Sequence, residues 1–196
     1  ESAIHLVGHS MGSSACAMYA AANPGPLRSL ALLEGLGPPA MDTKLPGERL
    51  QSWIGAVQRV RAQPRPRLDS VQAASARLRK RNPGMDEAFA CFLARNSTCP
   101  HPDGQGLCWR FDPLHRTPSA YGFDLQRFQH TLSAITTPTL VVLGEKGLRT
   151  GDEDTRAGWL GAIRTRVTLP GADHMLQWSR PDALASQLLD FWERTT

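Results

Sequence analysis

The 196-residue sequence has no apolar run that approaches the length of a membrane span, so we predict that no segment of it crosses a membrane. It also lacks a strong excess of charge, because 22 basic residues stand against 18 acidic ones. A net charge of +4 is too small to indicate a nucleic-acid partner. No internal repeat or low-complexity segment is present. These absences, together with a hydrophobic content of 41%, are typical of an ordinary globular protein with a core.

Cysteine is scarce, and no two of the cysteines form a C-x-x-C pair. The four are Cys16, Cys91, Cys99 and Cys108. No histidine lies at zinc-finger spacing from them, so the sequence predicts no zinc site. Cys99 and Cys108 could be bridged in an oxidising compartment, but we expect reduced thiols in a cytoplasmic protein.

Basic residues concentrate between Arg59 and Arg81. They are not interleaved with aromatic residues, as the basic surfaces that bind single-stranded nucleic acid are. We therefore interpret the cluster as a solvated helix face followed by a proline-stiffened loop at residues 64–66. A site for an anionic group of a substrate is the alternative.

A G-x-S-x-G motif, GHSMG at residues 8–12, follows a short apolar run and precedes a helix of small residues. Strand, motif and helix in this order predict a nucleophile elbow, with the Ser10 hydroxyl on a strained turn. Side chains at positions 8 and 12 are expected to collide with neighbouring backbone, which accounts for Gly8 and Gly12. The amide of Met11, at the helix start, is expected to face a developing oxyanion. The structural alternative is a glycine-rich turn with an incidental serine.

Sheet patterns at both ends of the chain enclose a mainly helical middle. Residues 27–34 predict a second buried strand, so the first 34 residues read as a βαβ unit of a parallel sheet. Sheet patterns return at residues 138–144 and 166–169, and an amphipathic helix follows at residues 184–192. The sequence therefore predicts an α/β fold whose sheet is interrupted by an insertion.

The insertion shows three helical apolar stripes. No convincing strand appears between Pro38 and Phe123, apart from a short extended piece at residues 109–113. The predicted domains are a core at residues 1–37, a helical cap insertion at residues 38–125, and the rest of the core at residues 126–196.

A serine hydroxyl needs a base to remove its proton. His174 is the best candidate, because it lies in a loop directly after the last predicted strand, where parallel sheets gather functional groups. His9 adjoins Ser10, but successive residues in a tight turn point apart, so we interpret His9 as a packing residue. The remaining histidines are interpreted as packing or surface residues: His5, His101, His115 and His130.

These features resemble the α/β-hydrolase superfamily. Strand-GHSMG-helix and strand-PGADH-amphipathic helix both match it, in the right order and with a helical cap between them. Within the superfamily the sequence is most similar to serine hydrolase-like proteins, in the stretches at residues 32–38, 76–83 and 109–113. The resemblance implies a partial α/β-hydrolase fold with a mainly parallel sheet and an inserted helical cap.

The resemblance also indicates where to look for the acid that orients the histidine. Many α/β-hydrolases carry it in a G-x-x-D pattern after the strand that corresponds to residues 140–143, but this chain has Gly147 at the expected aspartate. Some members place the acid at the end of the preceding strand, where this chain has Glu34. An unpaired carboxylate at the end of an apolar strand is costly, so we predict that Glu34 orients His174. The alternative acids are Asp152, Asp154 and Glu145.

Superfamily members have earlier strands and a His-Gly oxyanion loop before the elbow strand, and residues 1–7 supply neither. We therefore expect a fragment that lacks its N-terminal third and does not catalyse the reaction alone. The predicted activity is hydrolysis of a small carboxylic ester or thioester through an acyl-enzyme on Ser10, with no metal or organic cofactor. The alternatives are a C–C bond hydrolase with the same triad and a non-catalytic protein that binds a small hydrophobic molecule.

Overall fold

The computed structural model describes residues 4–38, 45–161 and 164–195. Its strands are β1 (Ile4–His9), β2 (Leu27–Leu33), β3 (Thr98–Pro100), β4 (Leu107–Trp109), β5 (Thr139–Lys146) and β6 (Arg164–Asp173). Its α-helices are α1 (Met11–Ala22), α2 (Pro46–Ala62), α3 (Val71–Arg81), α4 (Glu87–Ser97), α5 (Leu125–Ser133), α6 (Glu153–Gly158), α7 (Leu176–Ser179) and α8 (Pro181–Arg194). The chain forms two compact units: unit 1 is Glu1–Asp42 with Phe123–Thr196, and unit 2 is Thr43–Gly122.

Unit 1 is built on one parallel sheet with the strand order β1-β2-β5-β6. The βαβ pattern of the first 34 residues predicts such a sheet, and that prediction is confirmed. β1 lies at one edge, and no strand of the described residues pairs with its outer side. Because all four strands run the same way, their carboxyl ends meet at one edge of the sheet, where parallel sheets gather functional groups.

Helices cover both faces of this sheet, so the central strands β2 and β5 are apolar on both sides. Successive side chains of a strand point to opposite faces. On one face Leu30 and Leu32 of β2 pack with residues of α1 and α5. On the other face Ala31 and Leu33 pack with residues of α8. This double burial explains the continuous apolar run at residues 30–33 of β2.

A buried arginine ties the loop after β2 to α6. Arg156 is only 1% exposed, and its Nη1 donates to the carbonyls of Leu36 at 3.0 Å and Pro38 at 2.8 Å. Its Nε lies 2.8 Å from Asp152 Oδ1. Partial burial raises the pKa of Asp152, but hydrogen bonds from Thr150 and Arg156 outweigh that effect and leave the pKa below its ordinary value. The buried charge is thus paired and hydrogen-bonded, as its burial requires.

The same loop meets the start of the second half of unit 1. A Cβ built on Gly37 would lie 2.6 Å from Phe123 Cζ. Gly37 also has a φ of 87°, in the left-handed region that favours glycine. The loop after β2 and the residues before α5 therefore pack together within unit 1.

Unit 2 is mainly helical but contains a small antiparallel sheet of β3 and β4. The prediction that no strand lies between Pro38 and Phe123 is therefore wrong. Strands of three residues are too short to show an alternating pattern. The extended piece predicted at residues 109–113 shares only Trp109 with β4.

The longest described helix, α2, has 17 residues. None of the helices in the described ranges is both long and apolar enough to cross a bilayer.

Candidate active site

Ser10 forms the whole connection between β1 and α1. Its φ of 54° and ψ of −121° place it in a region that residues other than glycine rarely adopt. Its amide donates to the carbonyl of Leu33 at 2.8 Å, which ties the turn to β2. Met11 begins α1, so its amide is one of those at a helix start that have no partner within the helix. The turn therefore combines the backbone strain and the positive helix end that the motif predicts.

Two glycines leave no room for a side chain at this turn. A Cβ on Gly8 would lie 2.6 Å from Gly12 O and 2.7 Å from Ser13 Cα. A Cβ on Gly35, which the motif does not include, would lie 2.3 Å from Ser13 Cβ. Gly12 differs, because a Cβ built there meets no described atom within 4 Å beyond its chain neighbours and the adjacent backbone of α1. The prediction that Gly12 avoids a collision is therefore wrong.

Alanine substitutions at the two motif glycines are expected to have opposite effects on stability. Gly8→Ala should lower the free energy of unfolding by about 2–4 kcal/mol, because the backbone atoms that its methyl group meets cannot move aside. Gly12→Ala should leave it unchanged or raise it by up to about 1 kcal/mol, because alanine favours the helix. Urea unfolding followed by circular dichroism measures both. Equal stability of the two variants would contradict the close packing at Gly8.

His174 links Ser10 to Glu34. Its Nε2 lies 3.0 Å from Ser10 Oγ, and its Nδ1 lies 3.1 Å from Glu34 Oε2. The three residues follow β1, β2 and β6, whose carboxyl ends share one edge of the sheet. In this arrangement the serine has a proton acceptor and the imidazole has a carboxylate partner.

The carboxylate of Glu34 is held by three hydrogen bonds. Oε1 accepts from the Gly144 amide at 2.6 Å, and Oε2 accepts from the Leu148 amide at 2.9 Å and from His174 Nδ1. These bonds satisfy a carboxylate whose side chain has no exposed area. Glu34 also has a φ of 50°, so two of the three linked residues have left-handed backbone. Backbone strain of this kind concentrates at functional sites.

Gly147 lies against this carboxylate. A Cβ built on Gly147 would lie 2.2 Å from Oε1 and 2.3 Å from Oε2 of Glu34. The carboxylate of Glu34 therefore occupies the space that a side chain at position 147 would need. This contact explains why position 147, where the G-x-x-D pattern calls for aspartate, holds glycine.

The alternative acids have other partners. Asp152 pairs with Arg156, Asp154 with Arg166, and Glu145 with the amide of Gly171. In the part of the chain that the structure describes, Glu34 supplies the carboxylate bonded to His174.

His9 contacts the same histidine from another side. Its Nε2 lies 2.7 Å from the carbonyl oxygen of His174, and the two rings are 4.9 Å apart at 43°. Because a carbonyl oxygen only accepts, His9 is the donor. The interpretation of His9 as a packing residue is therefore incomplete. No sequence pattern shows this bond, because its partners are 165 residues apart.

A cavity of about 360 Å³ opens beside Ser10 and His174 within unit 1. Its apolar lining includes Leu36, Leu143 and Leu148. Its charged lining, apart from Glu34, consists of Arg149 and Glu153. Partial burial raises the pKa of Glu153, but hydrogen bonds from backbone amides outweigh it, so the pKa lies below its ordinary value. A mainly apolar lining with a few polar groups is typical of a site for a small molecule.

Metal ligation is not indicated in the described ranges. No group of three or more His, Cys, Asp or Glu side chains converges there as a metal site.

Comparisons with known proteins relate this geometry to a family. The model of the alpha/beta hydrolase family matches residues 1–187. Protein phosphatase methylesterase 1 of Yarrowia lipolytica is 26% identical over 105 residues, which are 54% of this chain and 24% of that protein. The thioesterase domain from the curacin biosynthetic pathway superposes with a TM-score of 0.80 at 27% identity, covering 95% of this chain and 66% of that one.

A third similar protein has no assigned function in its name. The hypothetical protein PA1622 from Pseudomonas aeruginosa PAO1 superposes with a TM-score of 0.80 at 25% identity, covering 97% of this chain and 68% of that one. The chain spans about a quarter of the methylesterase and about two thirds of the two solved structures. The parallel sheet with helices on both faces and a family model that matches residues 1–187 show that this chain belongs to the alpha/beta hydrolase family.

Proposed function

We propose that the protein is a serine hydrolase that cleaves a small carboxylic ester or thioester through an acyl-enzyme on Ser10. The observation that carries this proposal is the pair of hydrogen bonds by which His174 joins Ser10 to Glu34. The similar proteins support the substrate class, since one is named a methylesterase and another a thioesterase domain.

In the first half of the proposed reaction, Ser10 Oγ attacks the carbonyl carbon of the substrate while its proton moves to His174 Nε2. The imidazolium that forms keeps its Nδ1–H on Glu34, whose negative charge stabilises it. His174 then gives the proton to the leaving alcohol or thiol, and an acyl group remains on Ser10.

The oxyanion of the tetrahedral intermediate is proposed to lie near the amide of Met11. That amide is at the start of α1, where the helix dipole stabilises negative charge. The second half of the reaction repeats the first with water as the nucleophile and His174 as its base. The residues named here account for both halves through acid–base and nucleophilic chemistry.

The orientation of His174 supports a catalytic protein rather than one that only binds a ligand. A non-catalytic protein that binds a small hydrophobic molecule has no use for a histidine positioned between a serine and a buried carboxylate. A C–C bond hydrolase would use the same three residues. The ester or thioester is preferred because of the names of the similar proteins.

We also propose that unit 2 belongs to a cap, as predicted for residues 38–125, and that residues 1–37 and 126–196 form the catalytic core. The division of the chain into two compact units supports this arrangement.

A fluorophosphonate probe tests the acyl-enzyme directly. In the full-length protein we expect the probe to label Ser10, because the hydroxyl lies 3.0 Å from its base. Peptide mapping identifies the labelled residue, and Ser10→Ala should abolish the label. If Ser10 stays unlabelled while a known serine hydrolase in the same tube reacts, the proposed mechanism is wrong.

Loss of the His9 donor is expected to slow the reaction without weakening substrate binding. His9→Leu removes the hydrogen bond to the His174 carbonyl and should lower kcat by about 10- to 100-fold with little change in KM. His9→Gln, which can still donate, should recover part of the loss. His5→Gln on the same strand is the matched control, because its ring bonds Ser29 instead. Equal kcat values for His9→Leu and the control would contradict the hypothesis that His9 positions His174.

A further inference from the structure

Two free cysteines of unit 2 lie opposite each other. Cys99 on β3 and Cys108 on β4 are direct partners in the antiparallel register, and their sulfur atoms are 3.7 Å apart. Backbone hydrogen bonds from Arg110 to Ser97 and from His101 to Gly106 flank the pair and fix that register. The two thiols therefore face each other through the pairing of the strands.

The backbone of this pair already suits a disulfide. Directly opposite residues of an antiparallel pair have Cα atoms about 4.5–5.5 Å apart. A disulfide needs about 4.4–6.8 Å between Cα atoms and about 2.05 Å between sulfurs. Rotation of the side chains of Cys99 and Cys108 can close the remaining distance while the strands keep their register.

The surroundings give the two thiols different roles. Cys99 is partly exposed, whereas Cys108 is only 1% exposed. A reagent in solution therefore reaches Cys99 first. Nη1 of Arg65 lies 3.9 Å from Cys108 Sγ, where its charge stabilises negative charge that develops on that sulfur.

We propose that Cys99 and Cys108 are a modification site, oxidised to a disulfide by a small-molecule disulfide such as glutathione disulfide. The Cys99 thiolate attacks one sulfur of the reagent, forms a mixed disulfide and releases one glutathione thiolate. The Cys108 thiolate then attacks Cys99 Sγ, forms the Cys99–Cys108 bond and expels the second glutathione thiolate. In total two protein thiols are oxidised, and one glutathione disulfide is reduced to two glutathiones.

The pH dependence of the first step follows from the same contact. The hydrogen bond with Cys108 raises the pKa of the Cys99 thiol, so less thiolate is present at neutral pH than for an isolated cysteine. The rate of bridging is therefore expected to increase as the pH is raised toward that pKa.

Treatment of the full-length protein with glutathione disulfide, followed by alkylation and peptide mapping, tests the proposal. We expect the peptides of Cys99 and Cys108 to be joined, unalkylated and lighter by two hydrogen atoms. Cys16 on α1 and Cys91 on α4 are internal controls and should be alkylated or singly glutathionylated. In Cys108→Ser, Cys99 should instead retain glutathione, because no second thiol resolves the mixed disulfide.

Cys91→Ser is the matched control for that variant, since Cys91 is a unit 2 cysteine whose thiol bonds Ser75. It should form the bridge at the wild-type rate. The proposal is overturned if wild-type Cys99 and Cys108 are both alkylated after treatment. It is also overturned if wild-type Cys99 keeps glutathione to the same extent as in Cys108→Ser.

Discussion

Replacing Ser10 with alanine is expected to lower kcat for ester hydrolysis by about three to six orders of magnitude. The substitution removes the only atom that accepts the acyl group in the proposed mechanism, and it leaves His174 without its partner at 3.0 Å. The comparison is made on the full-length protein with a small chromogenic ester and with the corresponding thioester.

Ser133→Ala is the matched control, because that hydroxyl is exposed at the end of α5. It should keep kcat within about a factor of three. Thermal unfolding of both variants separates lost chemistry from lost structure. If Ser10→Ala retains most of the activity in a folded protein, the acyl-enzyme on Ser10 is ruled out.

The second large effect that we expect concerns the acid that bonds His174, which can be moved from position 34, after β2, to position 147, after β5. Glu34→Ala should lower kcat by about 10³- to 10⁴-fold, because His174 loses the carboxylate that fixes its tautomer. Gly147→Asp alone should also lower kcat, because the new side chain collides with Glu34 and places a second negative charge beside it. Together, Glu34→Ala and Gly147→Asp should recover at least about tenfold over Glu34→Ala alone, because each substitution removes the obstacle to the other.

The backbone at Gly147 allows this exchange, since its φ lies outside the left-handed region and an aspartate can adopt that backbone conformation once the Glu34 side chain is shortened. Asp152→Asn tests the rival acid. If it abolishes turnover while Glu34→Gln does not, the acid assignment reverses. Asp154→Asn is the neutral control, because that side chain is 80% exposed. A double variant no more active than Glu34→Ala would show that the two positions do not share one space.

The fold class was predictable because its signals are local. Residues 30–33 are all apolar because β2 is buried on both faces there, and the motif at residues 8–12 marks the turn between β1 and α1. The parallel sheet that these patterns predict is confirmed. The catalytic roles of Ser10, His174, Glu34 and Met11 stay predictions, although three of their side chains form one hydrogen-bonded chain.

What the sequence did not reveal depends on contacts between distant residues. Gly35 has to be small because of Ser13, and the burial of Arg156 depends on carbonyls about 120 residues away. The His9 bond spans 165 residues. No period or motif encodes such contacts, because each depends on how the whole sheet brings separate loops together. The glycine at position 147 could not be explained from the sequence either, because it makes room for the side chain of Glu34, which is distant in the chain.

The contact between Gly37 and Phe123 joins two stretches of unit 1 that are far apart in the sequence. The carbonyl of Pro38 accepts from Arg156 Nη1, so the same loop is held a second time from within unit 1. Ser10, Glu34 and His174 also lie in unit 1, and the hydrogen bonds that link them involve no residue of unit 2. A substitution confined to unit 2 therefore leaves the bonding partners of these three side chains unaltered.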